Sequence, residues 1–138
     1  MNISLFRYAF ALIMLSLIGA FLIPAMAVPR LGLSAHTIGI LSGVLLIAVG
    51  VVWPCFQLGP RQSSLLKWSW VYSSYTNWFA CLAGAILGVG SMTPIAAEGV
   101  VGTPVPEAIV SALFITVAIS SLIACGISLW GLRIKNGH

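Results

Sequence analysis

Long apolar stretches, almost free of charge, dominate this chain and limit the folds that it can adopt. Of its 138 residues, six are Lys or Arg and two are Asp or Glu, whereas about a quarter of the residues in an ordinary soluble domain are charged. A helix that crosses a bilayer needs about 20 mainly apolar residues. We predict such helices near residues 5–27, 34–56, 66–91 and 106–132. The sequence therefore predicts an all-α protein, an integral-membrane four-helix bundle in which residues 1–138 form a single domain.

The distribution of positive charge predicts the orientation of this bundle, because Lys and Arg are enriched in cytoplasmic loops. Arg30 lies on one side, together with Glu98 and with Glu107, which is expected at the positive end of the fourth helix. The other five cations lie on the opposite side: Arg7, Arg61, Lys67, Arg133 and Lys135. We predict a multi-pass protein of the cell inner membrane with both termini in the cytoplasm. The net charge of +4 then reflects topology, and no nucleic-acid partner is indicated.

The first apolar stretch has a second interpretation. Arg7, the apolar run that follows it and the small residues Ala25 and Ala27 resemble a secretory signal peptide with its cleavage site. Cleavage would remove one helix from an otherwise even set. We therefore predict that this stretch is retained as the first helix of the bundle.

His36 is the most informative polar residue, since the other histidine is His138 at the last position. Ser34 is expected to cap the second helix, which places His36 in the first turn, near the outer boundary of the bilayer. Gly39 and Gly43 follow on the same face, at about 100° per residue, and their G-x-x-x-G spacing lets a helix or a flat ligand approach closely. Two interpretations remain open, a boundary histidine beside a helix-packing face and an imidazole that binds a ligand.

The third predicted helix is the polar one, with Ser-Ser-Tyr-Thr-Asn at residues 73–77. An amide at this depth is costly unless it is paired, so Asn77 is expected to face the bundle, either in an interhelical hydrogen bond or in substrate binding. No acidic or basic residue lies deep in a predicted span, which argues against a coupled transporter. If the protein is an enzyme, a cofactor must bring the reactive chemistry.

Four segments resemble the hydroxylaminobenzene mutases, which are small four-helix membrane enzymes: VPRLGLSAHTIGILSGVLLIAVGVVWP, YTNW, MTPIAAEG and ACGISLWGLR. A more distant resemblance is to the styrene oxide isomerases, which share the histidine of the second helix and an asparagine in the third. The mutases move a hydroxyl group within an aryl hydroxylamine to form an ortho-aminophenol. The styrene oxide isomerases convert an aryl epoxide to an aldehyde and are homotrimers that hold haem b between subunits through that histidine.

By position, this resemblance implies that His36 is the axial ligand of haem b and that Asn77 lines the pocket. Gly39 and Gly43 would leave room for the macrocycle, and Arg30 would pair with the haem propionates. The other implied site residues are Ser42 as a catalytic group and Tyr75, Trp78 and Cys81 around the substrate.

The chain departs from these families at two positions. Ser42 stands where both tend to have an asparagine, and Cys81 stands where the styrene oxide isomerases have a tyrosine. The missing tyrosine argues against epoxide chemistry of that kind. We therefore expect a haem-dependent isomerase, a homotrimer, that acts on a small aromatic hydroxylamine. The alternatives are an epoxide isomerase, a non-catalytic haem or electron-carrier subunit, and a scaffold that assembles through its glycines.

Overall fold

The computed structural model describes residues 1–132, which form α-helices and short 3₁₀ helices without any strand. Arg133 and Lys135, which were used above to predict orientation, lie outside these residues. The all-α prediction is confirmed for the described part of the chain. The α-helices are α1 (Ile3–Ala20), α2 (Pro29–Val52), α3 (Pro60–Leu87) and α4 (Pro104–Gly131), and the 3₁₀ helices are Ile23–Ala25 and Trp53–Cys55.

Backbone hydrogen bonds join the ends of helices that are distant in sequence. The amide of Asn2 donates to the carbonyl of Gly50 at 2.9 Å, which brings the start of α1 to the end of α2. The amide of Gln57 donates to the carbonyl of Gly131 at 2.8 Å, which brings the α2–α3 connection to the end of α4. Successive helices therefore run in opposite directions, and the N-terminus lies at the same end of the bundle as the end of α4.

Helices that follow one another in sequence are packed side by side, and α1 also touches α3. Most of the buried apolar residues form two clusters. The first cluster draws on all of α1 to α4, and the second joins the start of α2 to α3 and to the α3–α4 loop. The first contains Leu5, Ala9, Leu46, Val49, Leu66, Trp70, Val71 and Ala124, and the second contains Met26, Val28, Leu31, Ala35, Cys81, Ala85 and Ala97.

Within residues 1–132, three helical segments are long and apolar enough to cross a membrane: Ile3–Ala20, Pro29–Cys55 and Pro104–Gly131. The prediction of apolar spans is confirmed for these three. The helix α3 is as long as α4, at 28 residues, but Arg61, Lys67 and the polar residues 73–77 lower its apolar content. It packs between α2 and α4, so its polar groups can face other helices.

The start of α2 differs from the prediction in a way that moves the candidate site. The helix begins at Pro29, whose missing N–H costs nothing at a first helical position. Ser34 is inside the helix, where its hydroxyl donates to the carbonyl of Arg30 at 3.2 Å. The predicted cap at Ser34 is therefore wrong. His36 lies seven residues after Pro29, almost two turns inside the helix.

Both ends of α3 and the end of α1 also differ from the predicted boundaries. The helix α3 begins at Pro60 rather than near 66, and the side chain of Gln62 accepts a hydrogen bond from the amide of Gly59 at 2.9 Å. It ends before Gly88, which has a φ of 68°. The helix α1 ends at Ala20, and a 3₁₀ turn that contains a proline follows it. Apolar content alone could not locate these ends, because polar residues continue α3 and apolar residues continue beyond α1.

Glu107 fastens the α3–α4 loop to the first turn of α4. Its carboxylate accepts hydrogen bonds from the amides of Gly90 at 3.0 Å, Gly102 at 2.7 Å and Ser91 at 3.2 Å, and also from the hydroxyl of Ser91. The predicted position in the first turn of the helix is confirmed. The carboxylate accepts hydrogen bonds from loop amides in addition to its favourable interaction with the positive end of the α4 dipole.

Replacement of Glu107 with alanine is expected to lower the thermal midpoint of the detergent-purified protein, because three backbone amides and a hydroxyl lose their acceptor. Glu98→Ala is the control. Its ion pair with Arg30, at 3.2 Å, is more than half exposed on both sides, and exposed pairs contribute about 0–1 kcal/mol. Equal shifts of the two midpoints would contradict this role of Glu107.

Candidate functional site

The imidazole of His36 is held by the backbone of α1. Its Nδ1 lies 2.9 Å from the carbonyl oxygen of Ser16, and the ring is half-buried. A carbonyl oxygen can only accept a hydrogen bond, so Nδ1 is the donor, and in the neutral imidazole Nε2 keeps its lone pair. Metal-binding histidines usually have this arrangement, in which one ring nitrogen donates to a carbonyl and the other is free to ligate. His36 would therefore fit the role of a haem ligand through Nε2.

Ser16 was not among the residues that the sequence indicated. Its side chain is buried, with 1% exposed, and its hydroxyl donates to the carbonyl of Leu12 at 2.8 Å. The signal in the sequence is a serine in the middle of a continuous apolar stretch. Its partner on α2 could not be found from that signal, because the group that meets His36 is a backbone carbonyl.

Gly39 and Gly43 lie at close contacts between α2 and α1. A Cβ atom at Gly39 would collide with the hydroxyl of Ser16 and would lie 2.7 Å from Cδ1 of Trp78. A Cβ atom at Gly43 would collide with Ile13. Within one chain this face is filled by α1 and does not leave a slot for a macrocycle. Within one chain the two glycines therefore serve helix packing, one of the two interpretations of their spacing, and their role beside a haem macrocycle stays a prediction.

Three of the expected site residues on α3 lie beside this part of α2. Trp78 packs against Gly39, one turn from His36. Cys81 is 2% exposed and belongs to the second cluster, which also contains Ala35, the neighbour of His36. Asn77 precedes Trp78 and is half-buried, and its amide makes no hydrogen bond with the rest of residues 1–132. The structure thus places the indole of Trp78 and the thiol of Cys81 against the part of α2 that carries His36, and Asn77 lies next to Trp78 in α3.

Two other expected residues are separated from the imidazole. The hydroxyl of Tyr75 donates to the carbonyl of Tyr8 at 2.7 Å, and Tyr8 is eight residues before Ser16, about 12 Å along α1. Tyr75 therefore helps to join α3 to α1 at the first cluster. Ser42 is half-buried on α2, six residues after His36 and about 9 Å farther along the helix.

Arg30 is at the surface of the bundle, in the first turn of α2. Its guanidinium pairs with Glu98 at 3.2 Å, and 58% of its side chain is exposed. Six residues separate it from His36, about 9 Å along the helix. The ion pair links the start of α2 to the α3–α4 loop.

The side chains at this site are too few to hold a metal ion, so most of its ligands would have to come from a cofactor. In the part of the chain that the structure describes, no three His, Cys, Asp or Glu residues come close enough together to hold one. Haem would meet this condition, since its macrocycle supplies most of the ligands of the iron and His36 would supply one from the protein. The donor set of this site therefore fits haem and does not fit a metal ion bound by side chains alone.

The helices and the site together define a small all-α membrane protein with one oriented imidazole between packed helices. The family model for styrene oxide isomerase matches residues 1–133. The chain is 41% identical over 130 residues to hydroxylaminobenzene mutase HabB of Ectopseudomonas oleovorans, a match that covers 94% of this chain and 79% of that protein. It is 33% identical over 114 residues to HabA of the same organism, with 82% and 84% covered. The chain belongs to the styrene oxide isomerase family.

The resemblance found in the sequence is thereby confirmed, and it extends over all of the described residues. No solved structure matches the chain. Because the family and both relatives are isomerases by name, the protein is an isomerase. The alternatives of a non-catalytic haem subunit and of a scaffold are set aside.

Proposed function

We propose that this protein is a haem-dependent membrane isomerase that converts an aryl hydroxylamine to the corresponding ortho-aminophenol. Two relatives named hydroxylaminobenzene mutase, at 41% and 33% identity, support the substrate class. The observation that supports haem as the cofactor is the contact between Nδ1 of His36 and the carbonyl of Ser16, which leaves Nε2 free as a ligand.

The proposed reaction needs no oxidant or reductant. The N–O bond of the hydroxylamine breaks, a C–O bond forms at the ortho carbon, and the proton on that carbon is transferred to nitrogen. Substrate and product are isomers. The difficult step is heterolysis of the N–O bond, because negative charge develops on oxygen while positive charge spreads over the aryl ring.

The residues of the site have separate roles in this chemistry. His36 would hold haem b through Nε2, and the bound iron supplies a Lewis acid for the substrate oxygen. Asn77 presents an amide with both acceptor and donor atoms and would orient the hydroxylamine group. Trp78 offers an aromatic surface to the aryl ring. The apolar residues of the second cluster exclude bulk water, which would otherwise trap the substrate as positive charge develops.

A homotrimer with haem b shared between subunits is part of the proposal. The glycine face of α2 is filled by α1 within one chain, so a macrocycle on His36 would need a surface that another copy completes. Arg30 is exposed and would pair with the propionates by exchanging its partner Glu98. The filled glycine face and the exposed Arg30 favour a cofactor that is bound between subunits, as in the related epoxide isomerases.

The proposed orientation follows from the charges at the two ends of the bundle. Arg7, Arg61 and Lys67 lie in the half of the bundle that contains the N-terminus, whereas Arg30 lies at the opposite end. By the bias of Lys and Arg towards the cytoplasm, we propose cytoplasmic termini in a multi-pass protein of the cell inner membrane.

Isotopic labelling tests the proposed reaction. Purified protein incubated with phenylhydroxylamine in ¹⁸O-labelled water is expected to form 2-aminophenol that contains unlabelled oxygen, because the hydroxyl group moves within the molecule. Mass spectrometry of the product gives the result. Labelled oxygen in the product, or a predominance of the para isomer, would show attack by water and would contradict an intramolecular transfer.

As a comparison, the same purified protein is incubated with styrene oxide in place of phenylhydroxylamine. We expect little phenylacetaldehyde, because Cys81 cannot supply the phenol of the tyrosine that the epoxide isomerases have at this position. Turnover of styrene oxide at a rate equal to that of phenylhydroxylamine would instead favour the epoxide isomerase, in keeping with the name of the family.

A further inference from the structure

We propose that Ser16 is a positioning residue that fixes the proton of His36 on Nδ1, and that the absence of a side chain at Gly39 is what allows this contact. The inference rests on the proposed function for its catalytic meaning. The position of the proton, however, can be measured without haem and without substrate.

Ser16 presents its two polar groups in different directions. Its hydroxyl donates to the carbonyl of Leu12 within α1 at 2.8 Å, so the hydroxyl does not compete for the imidazole. Its carbonyl accepts from Nδ1 of His36 at 2.9 Å. The serine side chain is thereby folded against its own helix, where it is small enough to lie against α2.

Gly39 sets the distance between the two helices at this point. It lies three residues after His36 and therefore on the same face of α2. An added Cβ atom would collide with the hydroxyl of Ser16 and lie 2.8 Å from its Cβ. The same serine thus contacts both positions, the imidazole through its carbonyl and the glycine through its side chain. A methyl group at position 39 would push α1 away and lengthen the hydrogen bond to His36, which weakens steeply with poor geometry.

The tautomer of His36 depends on this hydrogen bond. In a neutral imidazole one nitrogen carries the proton and the other the lone pair, and the partner of one nitrogen decides which tautomer is present. With Ser16 in place, the lone pair is on Nε2. Without it, the proton is free to move to Nε2, and the nitrogen proposed to bind iron then has no lone pair. Ser16 therefore acts on the reaction through His36.

Nuclear magnetic resonance of the ring nitrogens tests the inference directly. The full chain is synthesised cell-free into nanodiscs without added haem, with ¹⁵N-labelled histidine and with His138→Asn, so that His36 gives the only histidine signal. We expect the proton on Nδ1 in this protein and a shift of the proton towards Nε2 in Gly39→Ala. The matched control is Gly126→Ala, because a Cβ at this helical glycine meets no atom within 4 Å, and its spectrum should not change.

A double variant separates loss of the contact from a general loss of folding. In Ser16→Gly with Gly39→Ala, both contacts of the new methyl group with the serine side chain are removed, while the carbonyl at position 16 remains. The approach to Cδ1 of Trp78 at 2.7 Å is left, and it is relieved by movement of the indole on α3 and not of α1. We expect the double variant to return the proton to Nδ1. A wild-type protein with its proton on Nε2 overturns the inference by itself. A folded Gly39→Ala variant that keeps the proton on Nδ1 also overturns it, and so does a folded double variant that leaves the proton on Nε2.

The haem-loaded protein distinguishes this inference from the proposed function. Loss of a hydrogen bond to a ligating histidine typically weakens metal affinity or activity by about 10–100-fold, and we expect a loss of haem affinity of that size in Gly39→Ala and none in Gly126→Ala. If the proton is on Nδ1 but the protein binds no haem, the positioning role stands and the haem proposal fails. If haem binds and the proton lies on Nε2 in the haem-free chain, the haem proposal stands and the positioning role fails.

Discussion

Replacing His36 with alanine should remove haem from the purified protein and lower the turnover of phenylhydroxylamine by at least about 100-fold, the scale on which the loss of one preorganised group acts in other enzymes. The physical reason is that His36 is the one residue near the site whose ring nitrogen is oriented for ligation, with Nδ1 bound to Ser16 and Nε2 free. The absorbance of the Soret band, per mole of protein, measures the loss of haem.

Two comparisons make this result specific. His138→Ala removes the other histidine and is expected to leave the haem content and the rate unchanged. Circular dichroism should show unchanged helix content in His36→Ala, because the substitution removes one hydrogen bond, which contributes about 0.5–1.5 kcal/mol. A Soret band that survives in His36→Ala would show that another group binds the iron. Activity that survives without haem would remove haem from the mechanism.

Replacing Asn77 with leucine should lower kcat by about 100-fold or more, the usual effect of removing one preorganised hydrogen-bonding group, while haem is retained. The amide is half-buried and has no hydrogen-bond partner within the described chain, so it is available to the substrate. For the same reason the substitution should not destabilise the fold, since removal of an unpaired polar group is neutral or favourable. Steady-state kinetics and thermal melting together measure both effects.

Thr76→Val is the control for Asn77. Thr76 is the adjacent residue of α3 and is also half-buried, and its replacement should change neither kcat nor the melting temperature by a comparable amount. The alternative role of Asn77 is an interhelical hydrogen bond, here between copies of the chain. A lower melting temperature with kcat intact in Asn77→Leu would favour that role and contradict the catalytic one.

The general architecture follows from the sequence, because three long apolar stretches have few other ways to be buried than as membrane helices. The boundaries follow less well. At the start of α2, Ser34 matched the chemistry of a cap, but Pro29 begins the helix earlier. In α3, polar residues from Pro60 onward continue the helix. Hydropathy measures apolar content and therefore does not locate polar helical turns.

The site residues that could be predicted from the sequence are those whose side-chain type is unusual inside a membrane helix. His36, Asn77 and Trp78 were each indicated by their type and depth. The structure brings Trp78 and Ser16, the partner of His36, to the same contact at Gly39. The partner of His36 was not predictable, since a backbone carbonyl has no signature in the sequence. The glycine pattern allowed both helix packing and ligand binding, and the packing of these glycines against α1 became visible only from the register of α1 against α2. The contact of Tyr75 with the carbonyl of Tyr8 was not predictable either, because it depends on the register of α3 against α1.

The measurement that tests the central proposal most directly is the absorbance spectrum of the detergent-purified protein before and after addition of phenylhydroxylamine, with the product analysed in the same cuvette. We predict a Soret band that shifts when the substrate is added and the formation of 2-aminophenol. A colourless preparation that still forms 2-aminophenol would leave the mutase activity in place and contradict the haem-dependent mechanism.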